Sequence, residues 1–241
     1  MSTSLARRGL AELLGTGLLV AVVVGSGIAA QRLSTDSGMQ LFENAIVTAL
    51  ALPVLILVFG PVSGGHFNPV VSIADWLLGR RTDGLTNVEL GTYVVAQLGG
   101  AILGALLANA MFGQAAGLST HHRSGWHLWL GEVVATAGLM LVIFALARTG
   151  NTRQTPWAVG AYIGAAYWFT SSTSFANPAV SIGRMFSDSF AGIAPASVPG
   201  FVGAQLVGGA IGLGLIVALY PRIADAVGDV VVPHEALEPA G

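Results

Sequence analysis

Gly64-Gly65-His66-Phe67-Asn68-Pro69 and, 109 residues later, Thr173-Ser174-Phe175-Ala176-Asn177-Pro178 decide how this 241-residue chain folds. Proline lacks an N–H and has a fixed φ, both harmless in the first turn of a helix, and Asn is a favoured N-cap. Each Asn-Pro therefore predicts a helix start. The apolar run after Pro69 reaches only Leu78, and the one after Pro178 only about Phe186. About ten residues at 1.5 Å rise make about 15 Å, half of a hydrocarbon core about 30 Å thick. Two such half-helices entering from opposite faces meet nose to nose at the midplane and jointly form one pseudo-span.

The rest of the chain supplies the lipid-facing frame. Apolar residues make up 54% and charged residues 9%, against about a quarter charged in a soluble domain, which excludes an ordinary soluble enzyme. The ten basic residues are all Arg, the net charge is -2, and there is no basic block, so nucleic acid is not the partner. The absence of Cys excludes disulfides, thiolate metal sites and Cys nucleophiles. The 33 glycines follow no Gly-x-y period, as expected for helices packed closely through small residues in lipid.

Six stretches are apolar enough to span: about 9–30, 41–60, 90–112, 127–147, 156–169 and 199–220. The first reads as a span and not a cleaved signal peptide. With the N-terminus inside, Arg7, Arg8, Arg80, Arg81, Arg148, Arg153 and Arg222 fall on the cytoplasmic side, and Arg32, Arg123 and Arg184 outside. That excess predicts cytoplasmic N- and C-termini. Residues 1–222 read as one membrane domain and residues 223–241 as a solvated cytoplasmic tail.

The two halves repeat. AELLGTGLLV at 11–20 echoes GEVVATAGLM at 131–140, HFNPVVS at 66–72 echoes FANPAVS at 175–181, and AQLGGAI at 96–102 echoes AQLVGGAI at 204–211. The matches pair Glu12 with Glu132, Asn68 with Asn177 and Gln97 with Gln205. Three spans per half force the halves, about 9–112 and 127–220, into opposite topology. Inverted repeats place the shared site near the midplane.

The meeting point is therefore electropositive, since each helix N-terminus carries roughly half a positive charge, and it repels cations. Asn68 and Asn177 offer N–H donors there, while the irregular backbone at Gly64, Gly65, His66 and Phe67 and at Thr173, Phe175 and Ala176 exposes carbonyls. Backbone of that kind is tolerated at membrane depth only when buried or lining a wet cavity. A neutral, hydrogen-bonding solute can pass such a point. Glu12 and Glu132 read either as ion-coupling carboxylates or as acceptors for loop N–H groups; their symmetry favours the scaffold role. Gln97 and Gln205 read as loop struts, and His66 as a loop-packing imidazole.

With its paired boxes, Asn68-Pro69-Val70 and Asn177-Pro178-Ala179, its Ser63-Gly64-Gly65-His66 lead-in and its matched Glu and Gln residues, the chain resembles the major intrinsic protein (aquaporin and aquaglyceroporin) family over residues 9–220. The resemblance implies an all-α membrane protein with six transmembrane helices and two re-entrant half-helices, a homotetramer with one pore per protomer, and neither cofactor nor metal. Counted from each Asn, the family's outer constriction falls on Thr48, Ala165, Ser174 and Val180. An Arg is usual where this chain has Val180. Four small residues predict a filter wider than water requires, and loss of the Arg removes a fixed charge and a five-donor fork. The Val with Thr48 resembles a bacterial branch associated with arsenic detoxification, which implies neutral arsenite or methylated arsenicals as solutes at a bacterial cell membrane; a general water, glycerol or urea channel is the alternative.

Arg184, four residues after Val180, either reaches back into the outer mouth or pairs with Asp188. His121 and His122 lie in an extracellular loop with Arg123, where plain solvation competes with a pH- or metal-responsive vestibule. Trp126, Trp129, Trp157 and Tyr220 fall at span ends as interfacial anchors. Outside the channel class, the rivals are an ion-coupled transporter, which needs a carboxylate on the permeation path, and a non-conducting membrane scaffold.

Overall fold

A computed structural model describes residues 3–79 and 84–220, which are entirely helix, turn and loop. Its helices are α1 (Leu5–Leu33), α2 (Ser37–Ser63), α3 (Pro69–Leu78), α4 (Asn87–Met111), α5 (Trp126–Arg148), α6 (Thr155–Phe169), α7 (Pro178–Gly183) and α8 (Val198–Leu219). Among the described residues α1, α2, α4, α5 and α8 are long and apolar enough to cross a bilayer unaided. The expected fifth span, α6, has 15 residues and is prolonged by a 3₁₀ turn at Thr152–Gln154. Arg80, Arg81, Arg222 and the tail at 223–241 lie outside the described residues.

Helix boundaries follow local chemistry. Asp36 accepts the Met39 N–H at the start of α2, and Thr86 and Glu89 form a reciprocal capping box on α4. Asn68 and Asn177 cap α3 and α7 with Pro in the first turn, as the two motifs predict. Gly64, at φ 87°, ends α2 in the left-handed region. The second half-helix differs from the expected run to Phe186, because after Gly183 it tightens into a 3₁₀ turn over Arg184–Phe186.

Large apolar side chains such as Leu14, Leu50, Val95, Leu103, Val134 and Val207 stay exposed along the long helices, which is the surface lipid covers. Close approach of small residues joins the helices within each half. A Cβ on Gly104 would stand 2.0 Å from the Gly17 carbonyl, and one on Gly100 2.2 Å from that of Leu13, so α1 and α4 touch backbone to backbone. Gly208 and Gly212 hold α8 against α5 in the same way, with virtual Cβ atoms 2.5 Å from the Val133 carbonyl and 2.8 Å from that of Ala137. Equivalent glycines at equivalent crossings are the duplication expressed as packing.

Candidate functional site

The two irregular loops are built on one plan. Glu12 in α1 is fully buried and accepts the His66 and Phe67 N–H groups at 3.0 and 2.7 Å. Glu132 in α5, equally buried, accepts those of Phe175 and Ala176, both at 2.8 Å. Gln97 donates to Glu12 at 2.8 Å and to Ser72 at 2.9 Å, and Gln205 donates to Glu132 at 2.6 Å and to Ser181 at 2.9 Å. Each carboxylate satisfies backbone donors that would otherwise be orphaned in a dry interior.

At the centre the loops are tied across the repeat axis. Asn68 Nδ2 donates to the Ala176 carbonyl at 2.8 Å, and Asn177 Nδ2 to the Phe67 carbonyl at 2.7 Å. Their Oδ1 atoms accept the first N–H groups of the half-helices, from Val70 at 2.9 Å in α3 and from Ala179 at 2.9 Å in α7. The N-termini of the two half-helices therefore face each other. The Phe67 and Ala176 carbonyls depart from the expected free lining, because the opposite Asn engages them.

A narrow cavity of about 60 Å³ passes this point. Gly65, His66, Phe67, Asn68, Ser174, Phe175, Ala176 and Asn177 contribute to its wall, while Gly64 and Thr173 do not. No Asp or Glu lines it among the described residues. Glu12 and Glu132 face the loops and are absent from the permeation wall. His66 Nδ1 lies 3.1 Å from Ser72 Oγ, and its ring meets Tyr93 edge to face at 5.3 Å.

Towards one end the wall contains Thr48, Ser174, Val180 and Arg184. Ala165 does not join them; it is exposed on the outer face of α6 with Ala161 and Trp168. The face of α6 that meets the cavity carries Val159, Ile163 and Tyr167, spaced by one helical turn. Tyr167 is buried, and its hydroxyl lies 3.2 Å from Thr48 Oγ1. Counting back from Asn177 fails because residues 170–176 are not helical, so sequence distance does not translate into height or rotation. The wall at this level is thus not made only of small side chains.

Arg184 is buried and does not pair with Asp188. Its Nε donates to the Ala191 carbonyl, and its guanidinium carbon lies 3.4 Å from the centroid of the Phe175 ring. Asp188 instead accepts from the Thr120 N–H at 2.8 Å and stands 3.8 Å from His121 Nε2. The Thr120 amide holds the exposed Asp188 carboxyl below the usual carboxylate range. The segment before α5 is laced onto the turn and loop that follow α7 by further bonds, including Ser119 N–H to the Met185 carbonyl and Arg123 to the Gly192 and Phe190 carbonyls.

Sequence reasoning passed over Tyr167, Arg123 and the Phe175 ring. It also gave no role to Ser63, whose Oγ donates to Glu12 at 2.7 Å and accepts the Gly65 N–H at 3.2 Å, or to Ser172, which accepts the Ser174 N–H at 3.2 Å. The signal for the two serines was present, since they occupy matching places before the two boxes. Arg123 was placed only beside His121 and His122 in an outer loop, and nothing in the sequence pointed to its bonds with the Gly192 and Phe190 carbonyls.

A membrane protein of duplicated halves, whose re-entrant helices abut beside a narrow cavity, has the build of a channel. A model of the major intrinsic protein family matches residues 1–186. The chain is 49% identical over 213 residues to the aquaglyceroporin AqpS of Rhizobium meliloti strain 1021, covering 88% of this chain and 89% of that one. It is 32% identical over 223 residues to the glycerol uptake facilitator protein of Pseudomonas aeruginosa, covering 79% and 77%. The X-ray structure of the aquaglyceroporin from Plasmodium falciparum superposes with a TM-score of 0.68 at 20% identity, covering 88% of this chain and 96% of that one. The chain belongs to the major intrinsic protein family, and it is a multi-pass membrane channel, not an enzyme.

Proposed function

We propose that this channel passes uncharged solutes larger than water, namely glycerol-like polyols and neutral arsenite or methylated arsenicals, down their gradients. Cations are refused by the paired half-helix N-termini. The single observation that carries the reading is the reciprocal bonding of Asn68 to the Ala176 carbonyl and of Asn177 to the Phe67 carbonyl, which turns two positive helix ends towards one point. The names of the relatives, an aquaglyceroporin and a glycerol facilitator, support polyols.

In this reading Thr48, Ser174 and Val180 bound the selective region together with Tyr167, which takes the place assigned to Ala165. The apolar Val180 suits solutes with a hydrophobic edge, and the Tyr167 and Thr48 hydroxyls suit solutes bearing oxygens. Glu12, Glu132, Gln97 and Gln205 hold the loops and conduct nothing. The functional unit is residues 1–222, assembled as a homotetramer in a bacterial cell membrane with both termini cytoplasmic. The described residues that line the cavity include no carboxylate, which disfavours ion coupling.

Swelling of proteoliposomes in water, glycerol and arsenite gradients tests the proposal. The native chain should pass glycerol with no dependence on a proton gradient. Val180→Arg should lower glycerol and arsenite flux by about tenfold, equivalent to about 1.4 kcal/mol of added barrier, while leaving water flux within about twofold. Equal solute fluxes in the two proteins reject the filter, and coupling to a proton gradient rejects the channel mechanism.

A further inference from the structure

Arg184 is an unusual group to find inside a membrane protein. It is 1% exposed, and no carboxylate pairs with it, because the salt bridges among the described residues are Arg8–Glu89 and His121–Asp188. Burying an unneutralised guanidinium is expensive unless its donors are met. Among the described residues the one protein acceptor Arg184 bonds is the Ala191 carbonyl, through Nε, and the side chain lines the cavity. Stacking on Phe175 offsets part of the cost and fixes the plane of the fork. An unmet group shares the same wall, since the buried Ser174 Oγ has no partner among the described residues.

Phe175 is placed by its own N–H on Glu132 and by its ring against Phe201 at 4.9 Å, and Arg123 also approaches that ring, at 5.4 Å. The ring is thus a fixed platform that aims Arg184 inward from one turn beyond Val180.

We propose that Arg184, and not the residue directly after the second Asn-Pro-Ala box, supplies the outer positive charge of the pore, so that charge selection and width selection reside on different side chains. Arg184 repels cations and donates from Nη1 and Nη2 to solute oxygens, with Ser174 Oγ as a neighbouring partner. Tyr167, Thr48 and Val180 set the width. The inference rests on the channel reading above and names a specificity-determining residue for it.

The full chain in proteoliposomes gives two readouts from one preparation: glycerol-driven swelling, and proton entry under a potassium diffusion potential, repeated with guanidinium as a larger cation. Arg184→Gln removes the charge at similar size. It should lower glycerol flux by about threefold or more, because the Nη donors to solute oxygens are lost, and raise proton or guanidinium entry by about tenfold or more, as expected when a fixed charge leaves a low-dielectric passage. Retained glycerol flux with native cation exclusion overturns the proposal. Arg184→Lys keeps the charge and should exclude cations as the native chain does; a leak as large as that expected for the Gln variant overturns the proposal even if Arg184→Gln fails to fold. Restoring exclusion in Arg184→Gln by adding Val180→Arg supports it. A native chain that passes no glycerol defeats the channel reading itself, which is a separate result.

Discussion

The loop before Asn68 and the loop before Asn177 make the same hydrogen bonds with different residues. Both turn through left-handed backbone at three matching places. In the first these are Gly64 at φ 87°, Gly65 at 63° and Phe67 at 48°; in the second, Thr173 at 62°, Ser174 at 52° and Ala176 at 48°. Glycine adopts such angles freely, whereas Thr and Ser pay about 1 kcal/mol or more each. The difference teaches that the loop path is imposed by the buried Glu and the opposite Asn, not by local backbone preference. Where glycine is missing, the tertiary anchors must overcome strain. In exchange the second loop places a polar residue, Ser174, in the cavity lining.

The largest effect should come from cutting the anchors. Glu132→Ala orphans the Phe175 and Ala176 N–H groups, and Glu12→Ala those of His66 and Phe67, at about 1–3 kcal/mol per buried donor. Because the second loop also carries strain at Thr173 and Ser174, Glu132→Ala should be the more damaging. Size-exclusion monodispersity and thermal melting in detergent measure this. A milder Glu132→Ala than Glu12→Ala would break the comparison.

An intermediate effect should come from exchanging the loop residues. Gly64→Thr and Gly65→Ser should each destabilise by about 1 kcal/mol, and Thr173→Gly should stabilise by a similar amount through relief of the left-handed penalty. The melting temperatures should move in opposite directions in the two loops. Movement in the same direction would show that the glycines serve packing and not conformation.

The smallest effect concerns the outer strap, the segment before α5 that bonds residues 185–192; at the first half-helix the described residues show different ties, from the Leu85 N–H to Asp75 and from Trp76 to Asn87. The Asp188 carboxyl is held below its ordinary value of 3.8, first by the Thr120 amide. A lowered native pKa contributes stability above the unfolded value that is lost as pH falls through the native one. The Thr120 amide should therefore stay protected from hydrogen exchange between about pH 5 and 8, and lose that extra protection only below about pH 4. Asp188→Asn should remove the pH dependence. A native loss near neutral pH would break the assignment to the Asp188 carboxyl.

Much of this architecture was legible because it is written twice. A lone Asn-Pro is a common turn dipeptide, but two at matching places in a duplicated chain locate both half-helices and pair Glu12 with Glu132 and Gln97 with Gln205. Period and length were enough for the spans, including the short α6. Arg184 was legible as a candidate by its four-residue spacing from Val180, yet its choice between Asp188 and the cavity was not, since Thr120 and His121 come from a distant loop to occupy Asp188. Ala165 shows the opposite failure: a count across non-helical residues 170–176 chose the lipid face of α6.

Hydropathy, duplication and the helix-starting chemistry of Asn-Pro are properties of neighbouring residues, and they were sufficient to dictate the spans and the two half-helices. The rotation of α6 that turns Tyr167 inward, the platform that Phe175 makes for Arg184, and the strap that engages Asp188 depend on groups far apart in the chain. These were settled by packing, because only the folded molecule brings the competing partners within bonding distance.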